Sequence, residues 1–309
     1  MEVRAFAPGT VANVSCGFDI MGFALESPGD VVTARRREAP GVVMARVSGD
    51  GGKLPCDGRN TAAVAAARLL ERAGSDAGVE LELEKGMPLS SGLGSSAASS
   101  VAAVVAVDAL LGTGLSTLDL LHCALEGERA AAGVPHADNA APSLVGGFVL
   151  VRGSGADARY HSLPVPGELA VAMCHPRIEI HTREARRILP ERIALADAVT
   201  QWFSCSALVA GLCGGDWDLI REGVRDVVAE PVRAPQVPGF AAMCDAARDA
   251  GALGCGLSGS GPSLFALCRG RDTAKRVCAA MKERYEGDGH GTADAWASAV
   301  GARGARVLD

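Results

Sequence analysis

The sequence predicts an α+β protein in two lobes, and three observations carry that reading. Strand-like alternation and helix-like spacing of apolar residues are mixed in both halves of the 309 residues, without regular strand–helix units. Pro164, Pro166 and Gly167 break the pattern within Ser162–Gly167. Hydrophobic residues make up 48% of the chain, enough for a substantial core. We therefore expect one unit over 1–165 and a second over 166–309, with no fixed-period repeat.

The elements follow in order. Glu2–Phe6 reads as a short strand ended by Ala7-Pro8-Gly9, and Val31–Arg37 and Val42–Val47 as further strands. Asn60–Gly74 reads as an Ala-rich helix closed by Gly74. Val79–Lys85 alternates apolar and acidic residues, as a half-buried strand does, and feeds a Gly/Ser turn and a long Ala/Val helix ending near Leu111. Ser116 or Thr117 can cap the helix Leu118–Ala132. His136–Asn139 reads as a polar turn after Gly133-Val134-Pro135, and Leu144–Val151 as a strand beginning at Gly146-Gly147. In the second half, Leu169–Cys174, Ser263–Cys268 and Thr292–Val300 read as strands. Thr182–Ile188, Glu191–Leu212, Asp216–Val228, Phe240–Ala250 and Thr273–Tyr285 read as helices.

Composition narrows the class. The formal net charge is −6 and no basic block stands out, so a nucleic-acid partner is not expected. Ten scattered cysteines form no C-x-x-C pair, which argues against a zinc knuckle and suits free thiols in a reducing cytoplasm. Met1-Glu2-Val3-Arg4 lacks a signal-peptide pattern, and Ala97–Leu111, taken as the longest apolar helix, is too short and polar for a membrane span.

Four motifs carry chemistry. Pro88-Leu89-Ser90-Ser91-Gly92-Leu93-Gly94-Ser95-Ser96-Ala97-Ala98-Ser99-Ser100 presents backbone N–H groups and hydroxyls at a helix start, a ready phosphate site. It lacks the Gly-Lys-Ser/Thr ending of a Walker A loop and the following acidic residue of a dinucleotide fold. A plain packing turn would need no run of hydroxyls. Gly254–Pro262 is a second glycine-rich stretch, read as a loop between helix and strand; two such loops suggest one shared polyphosphate site. Glu126-Gly127-Glu128-Arg129 places a carboxylate on the helix after the phosphate-binding one, where Glu128 and Ser96 could ligate magnesium. Asn13–Asp19 sets an amide and a carboxylate on a glycine-containing loop, a pair that suits an amine-bearing substrate. Arg183, Arg186, Arg187 and Arg233 are candidate carboxylate clamps.

Together these residues resemble the GHMP kinases, the superfamily of galactokinase, homoserine kinase, mevalonate kinase and phosphomevalonate kinase. Pro88–Ser100 is similar to the family's ATP loop almost residue for residue, and the likeness runs from Ala7-Pro8-Gly9-Thr10 to Gly254–Leu267. Asn13 with Gly17-Phe18-Asp19, His136–Asn139, Thr182–Arg186 and Glu230–Arg233 resemble the homoserine-kinase branch, although Ser15-Cys16 stands where Gly-Pro is common. The resemblance implies a ribosomal-S5-domain-2-like ATP-binding lobe over 1–165 and a ferredoxin-like lobe over 166–309. It implies ATP-dependent phosphorylation of the side-chain hydroxyl of L-homoserine to O-phospho-L-homoserine, in threonine biosynthesis.

It also implies roles. ATP lies along Pro88–Ser99 with Asn60 and Lys85 at the nucleoside end and Gly259 opposite, and Ser96 and Glu128 hold Mg2+. Asn13, Asp19, His136, Asn139, Arg186 and Arg233 surround homoserine, with Asp19 on its ammonium and the two arginines on its carboxylate. Thr182 lies near the transferred phosphoryl group, giving Asn13, Asn139, Thr182 and Arg186 as the residues around the reacting atoms. An amide at Asn139 cannot take a proton, Asp138 is expected to point away, and no base is assigned. A homodimer and no membrane partner complete the expectation.

Overall fold

Residues 2–163, joined by residues 306–308, build one mixed sheet, and residues 169–299 carry a second, in a computed structural model that describes residues 1–309 apart from the side chain of Ala132. The first sheet contains β1 (Glu2–Ala12), β2 (Met21–Arg37), β3 (Gly41–Ser48), β4 (Gly78–Glu84), β5 (Phe148–Arg152), β6 (Arg159–Leu163) and β11 (Arg306–Leu308). Its order is β11-β1-β2-β4-β3, with β5 on β2 and β6 on β5. The expected stop at Ala7-Pro8-Gly9 does not occur. Pairing with β2 continues and shifts register between Pro8 and Thr10, because a proline without an N–H is tolerated at such an irregularity.

Two helices, α1 (Thr61–Arg72) and α2 (Ser95–Leu111), pack on this sheet, and α3 (Thr117–Ala132) packs on both of them. α2 is apolar nearly all round and almost wholly buried, the signature of a core helix. Its alanines and serines let neighbours come close. At Gly127 of α3 a Cβ would stand 2.6 Å from the Thr61 carbonyl oxygen and collide with Ser100 Oγ, so only glycine allows this approach. That approach carries the next residue, Glu128, to the head of α2.

His136–Asn139 is not a free turn: His136 is the cap and the next three residues open α4 (Ala137–Val145). Pro142 hides this helix in the sequence, since it removes one helical donor. The carbonyl it leaves free, that of Asp138, lies against Gly22 of β2. Gly146, at φ 75°, ends the helix, so β5 starts at Phe148 rather than Leu144.

The second sheet contains β7 (Leu169–Pro176), β8 (Gly254–Leu257), β9 (Leu264–Arg269) and β10 (Ala293–Ala299), in the antiparallel order β10-β7-β9-β8. With α10 (Arg271–Gly287) between β9 and β10, this is the ferredoxin-like arrangement. Between β7 and β8 run α5 (Thr182–Arg187), α6 (Leu195–Gly214), α7 (Trp217–Gly223), the one-turn α8 (Glu230–Arg233) and α9 (Phe240–Asp249). α6, not the Ala97–Leu111 stretch, is the helix long and apolar enough by composition to cross a membrane. One side of it, with Ala207, Leu208, Gly211 and Leu212, is buried in the protein. The two lobes share a core: Phe23 stacks on Phe148 at 5.6 Å and meets Phe265 of the second sheet edge-on at 6.5 Å.

Candidate active site

The phosphate-binding expectation rests on the head of α2, where Gly94 adopts the left-handed conformation at φ 66°. No side chain caps this end, so its first N–H groups stay free, and the helix dipole adds partial positive charge. The head opens into a cavity of about 670 Å3 between the lobes. Leu89, Ser90, Ser91, Gly92, Gly94, Ser95, Ser96 and Ser99 line it from the loop and α2.

The second glycine loop closes over the first. Ser258 Oγ donates to the Gly92 carbonyl at 2.7 Å, and the Ser263 N–H donates to the Ser91 carbonyl at 3.2 Å. Gly254–Leu257, expected as part of this loop, is strand β8. Only Gly259 and Gly261 take positive φ, at 58° and 81°, so the loop itself begins at Ser258. Gly256 is needed for room instead: a Cβ there would stand 2.6 Å from Glu230 Oε2 and 2.8 Å from Ser15 Oγ.

Polar atoms without partners mark the cavity. Among the described residues, the buried side-chain atoms lacking a hydrogen bond include Ser91 Oγ, Ser95 Oγ, Glu128 Oε1 and His136 Nε2, and all four residues line this one cavity. Buried polar groups are nearly always satisfied, so such a cluster points to a polar ligand. Glu128 is 2% exposed and its other oxygen faces His136 Nδ1 at 3.3 Å. Burial pushes the His136 imidazole down, but the Glu128 hydrogen bond and charge, with Asp138 and Asp19, raise it on balance.

On the acceptor side, Asn13, Val14 and Ser15 form a left-handed run with φ of 67°, 44° and 61°. Such a run is strained for non-glycine residues and is held by its neighbours. Asn13 Nδ2 donates to the Gly259 carbonyl at 2.9 Å, and Asn13 Oδ1 accepts from the Asp19 N–H at 3.0 Å. Arg186 of α5 forms a bidentate ion pair with Asp19, which raises the guanidinium pKa. Asp19 thus stands against Arg186 on the cavity wall. Arg233, 4% exposed, donates to the carbonyls of Ala185 and Gly259, both at 3.2 Å, and burial lowers its pKa. Both guanidiniums lie over the Phe18 ring, at 5.6 and 5.1 Å from its centroid. Asn139 Oδ1 accepts from Thr10 Oγ1 at 2.8 Å, which leaves its NH2 to face a ligand. Thr182 Oγ1 lies 3.4 Å from Ser260 Oγ.

The structure therefore brings Asn13, Asp19, Ser96, Glu128, His136, Asn139, Thr182, Arg186, Arg233 and Gly259 to one cavity, and it redirects others. Asn60 is the N-cap of α1, accepting from the Ala62 N–H at 3.0 Å and donating to the Pro55 carbonyl at 2.9 Å; it is off the cavity wall. Lys85 touches the cavity, but its ammonium is buried against Asp30, the Ser95 carbonyl and Ser99 Oγ. Leu93, Ala97 and Ala98 are buried behind the wall, Leu93 holding the Thr10 N–H through its carbonyl, and Pro88 is exposed outside it. Asp138 does not point away: it is 3% exposed and lines the cavity, and burial pushes its carboxyl up to about 6. The turn reading of His136–Asn139 concealed it. Asp30 was missed as well, for it belongs to no recognisable spacing, and Glu230 was noted only within the segment Glu230–Arg233, without a role of its own.

Comparison with known proteins agrees with this geometry. The model of the GHMP kinases N terminal domain matches residues 60–147, and that of the GHMP kinases C terminal domain matches residues 208–287. Homoserine kinase of Chlorobium phaeobacteroides is 46% identical over 99% of both chains, and that of Xanthomonas campestris pv. campestris 42% identical over 99% of this chain and 94% of its own. The crystal structure of homoserine kinase from Cytophaga hutchinsonii superposes with a TM-score of 0.96 at 47% identity, covering 99% of this chain and 97% of that one. Mevalonate kinase of L. major, at 17% identity and a TM-score of 0.72, shares the fold. The chain belongs to the GHMP kinases, in the group formed by the homoserine kinases.

Proposed function

We propose that this protein transfers the γ-phosphoryl group of ATP to the side-chain hydroxyl of L-homoserine, giving O-phospho-L-homoserine for threonine biosynthesis. The observation that carries the reading is the cluster of unpartnered hydroxyl and carboxylate oxygens at the uncapped head of α2, beside a pocket holding acidic and guanidinium groups. The triphosphate lies along Leu89–Ser96, held by the free N–H groups of α2 and by Ser91 and Ser95. The unpartnered Glu128 Oε1 and the Ser96 hydroxyl are hard oxygen donors and fit magnesium, which supplies charge neutralisation when bound. The γ-phosphorus–oxygen bond to the β-phosphate breaks as the homoserine oxygen bonds to phosphorus, and the hydroxyl proton leaves to solvent. Phosphoryl transfer is carried mainly by positioning and charge stabilisation, so no dedicated base is required. Asn139 orients the hydroxyl through its NH2, and Thr182 stands by the transferred group.

Purified protein with MgATP is incubated in turn with homoserine, shikimate, mevalonate and galactose, and ADP release is followed. Release with homoserine alone is expected. Release with none, or only with another acceptor, refutes the reading.

A further inference from the structure

None of the ten cysteines serves the phosphoryl transfer, and their surroundings differ. Burial pushes the Cys123, Cys174, Cys268 and Cys278 thiols up, and a thiol held in that form is inert. Cys244 and Cys255 stand 3.0 Å apart between α9 and β8, both buried. Cys16 and Cys205 form another pair. Cys16 is buried in the Asn13–Asp19 loop, and Cys205 is half-buried on α6. The Cys205 thiol donates to the Cys16 carbonyl at 2.9 Å. Gln201 Nε2, one turn earlier on α6, donates to the same oxygen at 2.9 Å. The two thiols also hydrogen-bond each other. That bond lowers the Cys205 pKa and, together with burial, raises that of Cys16. A partly exposed thiol that ionises readily, next to a second thiol able to resolve its oxidised form, is the arrangement on which oxidants act first.

We propose that Cys16 and Cys205 are an oxidation site, at which hydrogen peroxide closes a disulfide that disables the Asn13–Asp19 loop. The Cys205 thiolate attacks one peroxide oxygen, the O–O bond breaks, hydroxide leaves, and the sulfur becomes a sulfenic acid. The Cys16 sulfur then attacks the Cys205 sulfur, the S–O bond breaks, and a second hydroxide leaves. The two thiol protons turn both hydroxides into water. The thiol pair loses two electrons and the peroxide gains them. A sulfur–sulfur bond is about 2.05 Å long, so the Cys205 sulfur abandons the Cys16 carbonyl and draws the loop onto α6. The displacement falls on the left-handed run Asn13–Ser15 immediately before Cys16. Asn13 there holds both the Gly259 carbonyl and the Asp19 N–H, so the loop cannot shift without disturbing the junction of the lobes. The bond forms whatever the acceptor is; its effect on turnover rests on the reading proposed above.

The full-length enzyme is treated with hydrogen peroxide at neutral pH, and the excess is removed with catalase. One portion is blocked with N-ethylmaleimide and mapped as peptides without reduction; the other is assayed for ADP release with homoserine. A linked pair of peptides carrying Cys16 and Cys205 is expected. The kcat/KM for homoserine falls about tenfold or more, as for a small misplacement of a reactant, and dithiothreitol restores it. Cys205→Ser keeps a donor for the Cys16 carbonyl, retains the untreated activity and resists peroxide. Cys244→Ser, which breaks the buried pair, stays as sensitive as the unaltered enzyme. A map without the Cys16–Cys205 link, or with links only at Cys244–Cys255 or at the exposed Cys56 and Cys213, overturns the site. A link that leaves kcat/KM unchanged overturns its effect on the loop, and so does equal sensitivity in Cys205→Ser. An untreated enzyme inactive on homoserine overturns the functional reading alone, and the peptide map still decides the bond.

Discussion

Replacing Lys85 by methionine tests whether its ammonium serves the nucleotide or the fold. The Lys85 and Asp30 side chains are 1% and 0% exposed. Nζ also donates to the Ser95 carbonyl and to Ser99 Oγ, both at 2.9 Å. Asp30 is left, in the variant, with the Gly86 N–H at 3.1 Å and the Ser99 hydroxyl at 2.7 Å, and with no positive charge. Removing one partner of a buried pair costs about 3–5 kcal/mol, because the remaining charge is uncompensated. For a chain of this size that lowers the melting temperature by roughly 10 °C. The double variant Lys85→Met with Asp30→Asn removes both charges, keeps an acceptor for Gly86, and recovers most of the loss. Calorimetric melting and the KM for ATP are measured on all three. A Lys85→Met protein that melts within about 2 °C of the unaltered one, while its KM for ATP rises about tenfold or more, refutes the buttress and returns the ammonium to the nucleotide.

The remaining expectations are simpler. Glu128→Ala abolishes ADP release; retained turnover at saturating magnesium removes it from the metal site. Asn60→Ala costs about 1 kcal/mol through the lost cap and leaves the KM for ATP unchanged; a raised KM places Asn60 at the nucleoside after all. Burial pushes the Glu230 carboxyl up from 4.5 to about 7, so the folded state holds its proton longer than the unfolded chain. Its contribution is therefore complete below about pH 4.5 and is lost as pH rises through 7, by at most about 3 kcal/mol. Glu230→Gln flattens that decline between pH 5 and pH 8 in melting curves; equal declines in both proteins reject the assignment.

Much of the site was legible because its chemistry is local in sequence. The phosphate loop and its helix are contiguous, and the need for free N–H groups with hydroxyls leaves few alternatives to glycine and serine there. Glu128 was legible because one helix follows the other directly. What escaped is non-local. Asp30 lies 55 residues from Lys85, and nothing in either neighbourhood announces an ion pair between β2 and the end of β4. Asn60 has the same sequence signature as a ligand and as a cap, and the cap won because Pro55 and Ala62 offer it partners within five residues. Asp138 was hidden by Pro142, which made a helix read as a turn and so misdirected its side chain. The continuation of β1 through Pro8-Gly9 was hidden for the related reason that proline ends a strand unless its partner shifts register.

The two lobes converge on a single residue, Gly259. The Gly259 carbonyl accepts from Asn13 Nδ2 and from Arg233 Nη1, while its N–H donates to the Ala12 carbonyl. A Cβ on Gly259 would stand 3.2 Å from the Gly92 carbonyl oxygen, so the phosphate loop lies directly behind it. Asn13 in turn fixes the backbone of Asp19, and Asp19 fixes Arg186. Phosphoryl transfer depends on holding two reactants in line, and small misplacements are expensive in rate. A hub that joins the loop for one reactant to the side chains for the other sets their separation by covalent geometry and three hydrogen bonds. The glycines here serve that convergence: Gly92 and Gly259 both take positive φ, and a Cβ on Gly92 would stand 2.4 Å from the Ser258 carbonyl oxygen and 2.7 Å from that of Gly261.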